Sequence, residues 1–348
     1  MSKSRITIKD IARELRISPS TVSRALANKW DVNPETRKAV LELAEKMNYQ
    51  PNPISLSLKT QQSMFVGVII PEFITSFFPE VIIGMESVLG PKGYQVLISQ
   101  SNESSDTELN NIKALENKMV AGFIVSLSVE TQNVDYFNRF VNSEFPIVFF
   151  NRTAPELRAP SVLIDDYKWA FRAVEHLLEQ GCRRIVHLSG PENLQISLHR
   201  RQGYEDALHK YGITVDKSLI IPCGVMMESG VTAAYRILDM TERPDAIFAF
   251  NDPTAIGAMK TLQKHEIRIP EDIAVIGFTE SKMAVIVEPN LSSVEQPTFE
   301  MGRAAAELLL EQINNPHDEK HAPKTIILDA TLNIRKSSLR PNTPTDKK

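Results

Sequence analysis

The N-terminus of this chain predicts two short amphipathic helices that only residues 16–17 separate. The first begins with a capping box, Thr7 with Asp10 three residues later, and apolar residues then recur at i, i+3, i+4 and i+7. The second begins at Ser18 with Pro19 at its first helical position, where a missing N–H costs nothing. So short a connection holds two helices at a steep angle, and the spacing therefore predicts a helix-turn-helix.

The second predicted helix has a polar face opposite its apolar one. Ser20 and Arg24 lie four residues apart on that face, and the Arg24 guanidinium has the fork geometry that pairs with O6 and N7 of guanine in a major groove. A third helix is predicted to begin at Asn33 and Pro34 and to bury apolar residues as far as Met47. The pattern favours a DNA-binding headpiece, and an ordinary helical bundle that never contacts DNA is the alternative.

Charge separates this headpiece from the rest of the chain. Residues 1–62 contain 11 Lys and Arg against 6 Asp and Glu, whereas the whole chain has a net charge of −4. Because DNA phosphates attract Lys and Arg, a basic module on an acidic body favours contact with DNA at one end only.

Segment 52–59 predicts a further short helix, with Asn52 as its cap and Pro53 at its first position. A helix of about seven residues is too short to be stable alone, since about 12–15 residues are marginal in water. It also carries Leu56 and Leu58 in an otherwise exposed linker. Leucines here either insert between base steps of a minor groove or pack on the following domain, and both interpretations stay open.

Beyond residue 62, apolar runs rich in branched residues alternate with helical stretches of 10–18 residues. This alternation predicts parallel sheets that helices cover on both faces, arranged as two α/β domains with a cleft between the carboxyl ends of their strands. The predicted strands are 65–70, 94–98, 123–125, 146–150, 184–188, 246–250 and 273–277.

These motifs resemble the lactose- and galactose-repressor family of bacterial transcriptional regulators. The resemblance implies an all-α helix-turn-helix headpiece with a hinge helix, followed by a periplasmic-binding-protein-like α/β core of two doubly wound parallel-sheet subdomains. The stretches that carry it are 8–12, 20–28, 32–37, 43–52, 190–191, 200–204, 250–252, 255–258, 269–278 and 291–297.

The resemblance also implies where the domains begin and end. The expected ranges are 1–51 for the headpiece, 52–62 for the hinge helix and linker, 63–335 for the effector-binding and dimerisation core, and 336–348 for a polar tail. The first subdomain of the core is expected at about 63–161 and 293–325, and the second at about 164–290 and 327–335. Three crossings between them are expected near 161–165, 290–296 and 323–328.

The resemblance implies that the chain binds a near-palindromic double-stranded DNA operator as a homodimer. A tetramer is not expected, because the tail is polar and carries two prolines, so it cannot form a leucine-heptad coiled coil. Leu58 stands where the family inserts a leucine into DNA, and Ser55 stands where most members have alanine. The expected DNA-binding residues are Thr7, Ser18, Pro19, Ser20, Thr21, Ser23, Arg24, Asn28, Ser55, Leu58 and Lys59.

The resemblance implies an effector, a sugar, sugar phosphate or nucleoside, in the cleft. Arg200 and Asn251 match family positions that bind its polar groups, and Phe77 and Phe78 match an aromatic pair that stacks on a ring. Thr279 stands where the family usually has aspartate, so Glu280 is a candidate to replace that aspartate. Thr279 and Glu280 complete the expected set of effector-binding residues. A surface arginine, a capping asparagine and a core phenylalanine are the alternative interpretations.

Other kinds of chemistry find little support in the sequence. Cys182 and Cys223 lack metal-ligand spacing, and the sequence has no Gly-rich phosphate loop, no Gly-x-Ser-x-Gly and no His-Glu-x-x-His. We expect no catalysis, no cofactor and no metal. A ligand-binding module without DNA affinity and a sugar- or nucleoside-processing enzyme are the alternatives from other functional classes.

The sequence shows no signal peptide and no apolar run of about 18 residues, so a cytoplasmic protein with no membrane partner is expected. Allosteric repression is the expected mechanism: the effector changes the cleft, and thereby favours or disfavours paired hinge helices on DNA. The sequence does not distinguish repressor from activator, nor an inducing effector from a co-repressing one.

Overall fold

The computed structural model of the chain describes residues 6–47, 49, 63–315 and 323–340. The chain divides into two compact units, with the limit between Met64 and Phe65. The first unit contains the helical headpiece, and the second contains both α/β subdomains.

The described residues of the headpiece form three helices, α1 (Ile8–Glu14), α2 (Pro19–Leu26) and α3 (Pro34–Lys46). The predicted caps form: the backbone N–H of Thr7 donates to Asp10 Oδ2 at 2.9 Å, and Ser18 Oγ accepts from the N–H of Thr21 at 3.0 Å. Each cap satisfies a helix N–H that would otherwise have no partner. The three helices close over one apolar core, whose buried members are Ile11, Ala12, Val22, Ala25, Val32, Val40 and Ala44.

The described part of the second unit forms two six-stranded sheets. The first sheet has the order β11-β5-β4-β3-β1-β2 and is parallel throughout. Its strands are β1 (Phe65–Ile70), β2 (Gln95–Gln100), β3 (Gly122–Val125), β4 (Ile147–Phe150), β5 (Ser161–Ile164) and β11 (Thr325–Leu328).

The second sheet has the order β12-β10-β9-β8-β6-β7, in which only β12 is antiparallel to its neighbour. Its strands are β6 (Ile185–Ser189), β7 (Ile220–Pro222), β8 (Ala246–Ala249), β9 (Ala274–Thr279), β10 (Ser292–Glu295) and β12 (Thr331–Asn333). Two doubly wound parallel-sheet subdomains are therefore confirmed.

Eight α-helices of the described core cover these sheets. They are α4 (Phe77–Leu89), α5 (Ser105–Glu116), α6 (Asp135–Asn142), α7 (Asp166–Glu179), α8 (Gln195–Lys210), α9 (Met227–Leu238), α10 (Asp252–Lys264) and α11 (Thr298–Asn314). None of the described helices combines the length and apolar composition that a membrane crossing needs.

The expected subdomain limits require three corrections. Ile164, expected at the start of the second subdomain, pairs with Leu328 in the first sheet. Residues 293–295 pair with β9 and belong to the second sheet, and residues 327–328 pair with β5 and belong to the first. The chain therefore crosses between the subdomains after Ile164, Glu295 and Leu328. Backbone hydrogen bonding decides which sheet a strand joins, and sequence similarity at a strand end does not report it.

The expected polar tail also begins too early. Ser337 and Ser338 are fully buried. The N–H of Ser337 donates to Asn290 O at 3.0 Å, and Ser338 Oγ lies 2.8 Å from Nε2 of the buried His176. Residues 336–340 are thus part of the second subdomain, and the rest of the predicted tail lies outside the described residues.

Helices α4 and α11 meet through glycines. A Cβ on Gly302 would overlap the carbonyl oxygen of Val81, and one on Gly84 would overlap that of Phe299. The two backbones therefore approach more closely than side chains would permit.

We expect Gly302→Ala to lower the free energy of unfolding of the core by about 1–3 kcal/mol, because the added methyl forces the packed helices apart. Gly90→Ala is the matched control, since a Cβ there meets no atom within 4 Å. Urea unfolding of both variants measures the difference, and equal midpoints would contradict the close helix contact.

Candidate functional site

Three hydroxyl side chains gather at the start of α2. Ser18 Oγ lies 2.6 Å from Ser20 Oγ and 2.8 Å from Thr21 Oγ1, beside Pro19 at the first helical position. A helix N-terminus carries a partial positive charge, and hydroxyl groups there can donate to phosphate oxygens. This end of α2 is therefore suited to an anionic backbone.

The remaining predicted DNA-binding residues of the headpiece have different surroundings. Arg24 NH1 donates to Asp31 Oδ2 at 2.9 Å, and Ser23 lies on the same helix. Asn28 follows α2 in a left-handed backbone conformation, φ +51°. Thr7 Oγ1 donates to Asp10 Oδ2 at 2.7 Å, so its hydroxyl takes part in a helix cap. Ser55, Leu58 and Lys59 lie outside the described residues.

A cleft of about 590 Å³, including its open mouth, separates the two subdomains. Both subdomains contribute to its wall, as expected for the carboxyl ends of parallel strands. The lining residues are Glu72, Thr75, Ser76, Phe77, Phe78, Asn151, Arg152, Ile196, Arg200, Val225, Met226, Phe250, Asn251, Pro253, Thr279, Ser281 and Gln296.

Phe77 and Phe78 begin α4 and line this cleft, but both are also buried in the core of the first subdomain. Their ring centroids lie 5.0 Å apart, edge to face, and Phe78 makes a similar contact with Phe150 at 6.1 Å. The core interpretation is confirmed, and contact with an effector stays a prediction, because a packed ring can still present an edge to a ligand.

Arg200 is fully buried beneath the cleft. Its Nε and NH2 lie 2.8 and 2.7 Å from Asp166 Oδ1, and its NH1 donates to the carbonyl of Phe250 at 2.6 Å. The guanidinium carbon also lies 3.7 Å from the ring centroid of Phe278. Burial raises the pKa of Asp166, but the adjacent guanidinium counteracts it. Arg200 is thus held rigidly as half of a neutral pair.

Asn251 has a structural role at the start of α10. Its Oδ1 accepts from the N–H of Thr254 at 3.0 Å, and its Nδ2 donates to Val225 O at 2.7 Å. The capping interpretation is therefore correct for the structure as it stands, although Asn251 also lines the cleft.

Thr279 and Glu280 both have left-handed backbone conformations, φ +106° and +57°, and the turn sends their side chains in different directions. Thr279 lines the cleft, and its Oγ1 accepts from Gln296 Nε2 at 3.3 Å. Glu280 accepts from Arg335 NH1 and NH2 at 2.9 and 2.5 Å and is not among the lining residues. Glu280 is therefore not a replacement for the family aspartate here.

Among the lining residues that were not predicted from the sequence, three have buried polar atoms without a described partner. Arg152 is buried and donates from NH1 to Glu103 at 2.8 and 3.0 Å, whereas its Nε has no partner among the described residues. Gln296 Oε1 and Ser281 Oγ are likewise buried without a described partner. Arg152 and Gln296 each follow the carboxyl end of a strand, which is the signal that could have identified them.

Polar contacts of Lys282 and Asn193 join the subdomains across the cleft. The N–H of Lys282 donates to Ser76 Oγ at 3.4 Å, and its ammonium lies 3.3 Å from Glu80. Asn193 Nδ2 also donates to the carbonyl of Val129. These bonds hold the two walls together, and one buried apolar cluster also contains residues of both subdomains.

Asp252, next to Asn251, is a fully buried carboxyl group that supports the cleft wall. It accepts from Ser293 Oγ and from the N–H of Ser281, both at 2.6 Å. Burial raises the pKa of Asp252 to about 7 from its ordinary value of 3.8. Between about pH 4 and pH 7, the folded chain therefore keeps a proton on Asp252 that the unfolded chain has already lost.

The contribution of Asp252 to wild-type stability should accordingly fall as pH rises through this window. The unfolding free energy of wild type minus that of Asp252→Asn should fall by about 2 kcal/mol or more between pH 4.5 and pH 7.5, because the asparagine does not titrate. Urea unfolding at several pH values measures it. A difference that does not change with pH would show that the carboxyl group titrates normally.

Known protein families match parts of both units. Residues 7–52 match the lacI family of bacterial regulatory proteins, and residues 174–338 match the periplasmic binding protein-like domain. The HTH-type transcriptional repressor CytR of Escherichia coli (strain K12) is 34% identical over 318 residues, covering 89% of this chain and 91% of the relative. Catabolite control protein A of Priestia megaterium is 33% identical over 311 residues, covering 89% and 93%.

Solved structures agree with these matches. The transcriptional regulator CelR in its cellobiose complex has a TM-score of 0.72 and 28% identity, covering 96% of this chain and 100% of that one. The lac repressor dimer bound to operator and the anti-inducer ONPF has a TM-score of 0.85 at 22% identity, covering 97% and 100%, and it supports the fold.

The relatives are transcriptional regulators, which confirms the prediction of a regulator and rejects the enzymatic alternative. The capped helix-turn-helix, the two-sheet core and the relatives lead to one conclusion: this chain is a DNA-binding transcriptional regulator of the lacI family.

Proposed function

We propose that this protein is a dimeric repressor that binds a near-palindromic operator and responds to a neutral, hydroxyl-rich effector in the inter-subdomain cleft. The observation that carries the proposal is a cleft with buried, unpartnered polar atoms in the same chain as an exposed reading helix. Repression is favoured because CytR and PurR relatives are described as repressors.

Helix α2 is the proposed reading helix in the major groove. Ser20 and Arg24 face outward, and the Arg24 side chain is 52% exposed. The hydroxyl cluster at the start of α2 would contact phosphates and fix the register. The other proposed contacts in the described headpiece are Thr7, Ser18, Pro19, Thr21, Ser23 and Asn28.

A second copy of the chain would cover apolar side chains that the core leaves exposed. Ile74, Ile83 and Ile286 are 78%, 56% and 69% exposed, and Ile98 lies on the edge strand β2. The bond between Ser76 and Lys282 brings residues 73–76 close to the segment that contains Ile286. A patch of this kind, spread over both subdomains, is typical of a homodimer interface.

The hinge at 52–62 is part of the proposal on sequence grounds alone. Leu58 would insert between base steps, with Ser55 and Lys59 beside it, when two hinge segments become helical on DNA. Paired hinge helices would form only when the two cores hold the segments at the required spacing.

The charges of the cleft favour a neutral effector over a sugar phosphate. Both lining arginines are already neutralised, Arg152 by Glu103 and Arg200 by Asp166. Glu72 adds a buried carboxylate that accepts from Thr75. A phosphate would enter a site with no uncompensated positive charge, and burial of an unpaired charge is unfavourable. A sugar or nucleoside matches the donors and acceptors, and CelR, a relative in structure, is described with cellobiose.

Allosteric control would follow from the contacts across the cleft. A ligand that favours one arrangement of the subdomains shifts the population only by its differential affinity for the two states. By linkage, operator DNA must change effector affinity by the same factor.

Selection from a random duplex library with the full-length protein should yield an inverted repeat, because a twofold dimer reads two half-sites. Arg24→Ala should weaken binding to the selected duplex by about tenfold or more, since one bidentate base contact is lost. Arg13→Ala is the control, because it removes the same charge from α1. Selection of a single, unrepeated site would contradict the dimer.

A thermal-shift screen of the full-length protein should identify the effector class. Cellobiose, other neutral sugars and nucleosides are compared with glucose 6-phosphate and other sugar phosphates, and a neutral ligand should raise the melting temperature by mass action. Arg200→Lys should lose that shift because it lacks the planar fork, whereas Arg201→Lys should keep it, since Arg201 does not line the cleft.

A larger stabilisation by a phosphate ester than by its neutral counterpart would overturn the neutral class. An unchanged ligand shift in Arg200→Lys would remove Arg200 from the effector site.

A further inference from the structure

We propose that Asp31 is a specificity-determining residue that positions Arg24 for one base and disfavours its capture by phosphate. This inference rests on the proposed reading role of Arg24 and adds a residue that the sequence reading did not include among the DNA contacts. Asp31 itself need not touch DNA.

The contact between the two side chains leaves the reading edge of Arg24 open. Arg24 NH1 donates to Asp31 Oδ2 at 2.9 Å, and the Asp31 side chain is 35% exposed. Nε and NH2 of Arg24 have no partner in the part of the headpiece that the structure describes. These two nitrogens form one edge of the guanidinium, and such an edge matches guanine O6 and N7.

The loop that carries Asp31 is fixed from both sides. The N–H of Lys29 donates to Arg24 O at 3.1 Å, which ties the loop to the end of α2. Arg37 of α3 donates from NH2 to Lys29 O at 2.6 Å and to Val32 O at 3.3 Å, and Val32 is buried in the headpiece core. The Asp31 carboxylate therefore has a defined position relative to α2, although it lies at the surface.

Two physical effects follow for DNA recognition. An arginine that is already restrained loses less side-chain freedom when it docks on a base, so binding to the correct base is stronger. The carboxylate also repels nearby phosphates, and phosphate contacts supply most of the affinity for non-specific DNA. Both effects raise the ratio of specific to non-specific binding.

The test uses the full-length protein and the duplex that wild type selects from a random library. Each guanine of the half-site is replaced in turn by adenine, and the guanine whose replacement weakens wild type but not Arg24→Ala is the base that Arg24 reads. In Asp31→Asn, the loss of affinity caused by replacing that guanine should be about tenfold smaller than in wild type. Binding to an unrelated duplex should tighten by about twofold or more.

Glu42→Gln is the matched control, because it removes an equal charge from an exposed position on α3. It should leave the preference for that guanine unchanged. Asp31→Glu keeps the carboxylate and should retain part of the preference, and thermal unfolding checks that each headpiece is folded.

Three results would overturn the inference. The first is an unchanged guanine preference in Asp31→Asn, and the second is an equal fall of that preference in Glu42→Gln. An equal loss at every position of the half-site would show that Asp31 stabilises the headpiece and does not position Arg24. If wild type selects a sequence but Arg24→Ala keeps every preference, the proposed reading role fails first, and this inference fails with it.

Discussion

The buried ion pair of Arg200 and Asp166 is the constraint on which the cleft depends. Asp166 begins α7 directly after the first crossing, Arg200 lies on α8, and the carbonyl of Phe250 at the end of β8 accepts from the same guanidinium. One side chain therefore fixes three elements where the subdomains meet. Removing one member of such a pair typically costs about 3–5 kcal/mol, since the other charge stays buried without a partner.

Pairing of this kind also supports the proposed neutral effector. Because Arg152 and Arg200 are both paired with carboxylates, such an effector would be selected through hydrogen bonds with neutral groups, including Gln296 Oε1 and Ser281 Oγ, which have no partner among the described residues. A site built on buried donors and acceptors rejects ligands that leave them unsatisfied more strongly than an apolar pocket rejects a slightly different shape.

Local chemistry made the headpiece predictable. The caps at Thr7 and Ser18 depend on residues within three positions, so the sequence reports them directly. The α/β core was predictable for a similar reason, since continuous apolar strands between helices have few other solutions. The direction of a side chain at a strand end was not predictable from the sequence. Glu280 turns away from the cleft because of two left-handed residues and a partner, Arg335, 55 positions later.

The three crossings are short, and the first and third are tied together. Asp329, just after β11, accepts from Lys168 Nζ at 2.8 Å and from Trp169 Nε1 at 3.2 Å, both near the start of α7. Under the proposed effector control, this link would couple the first and third crossings, so that a movement of one subdomain against the other would displace both connections together. An effector that bridges the two walls of the cleft would then act on two connections at once.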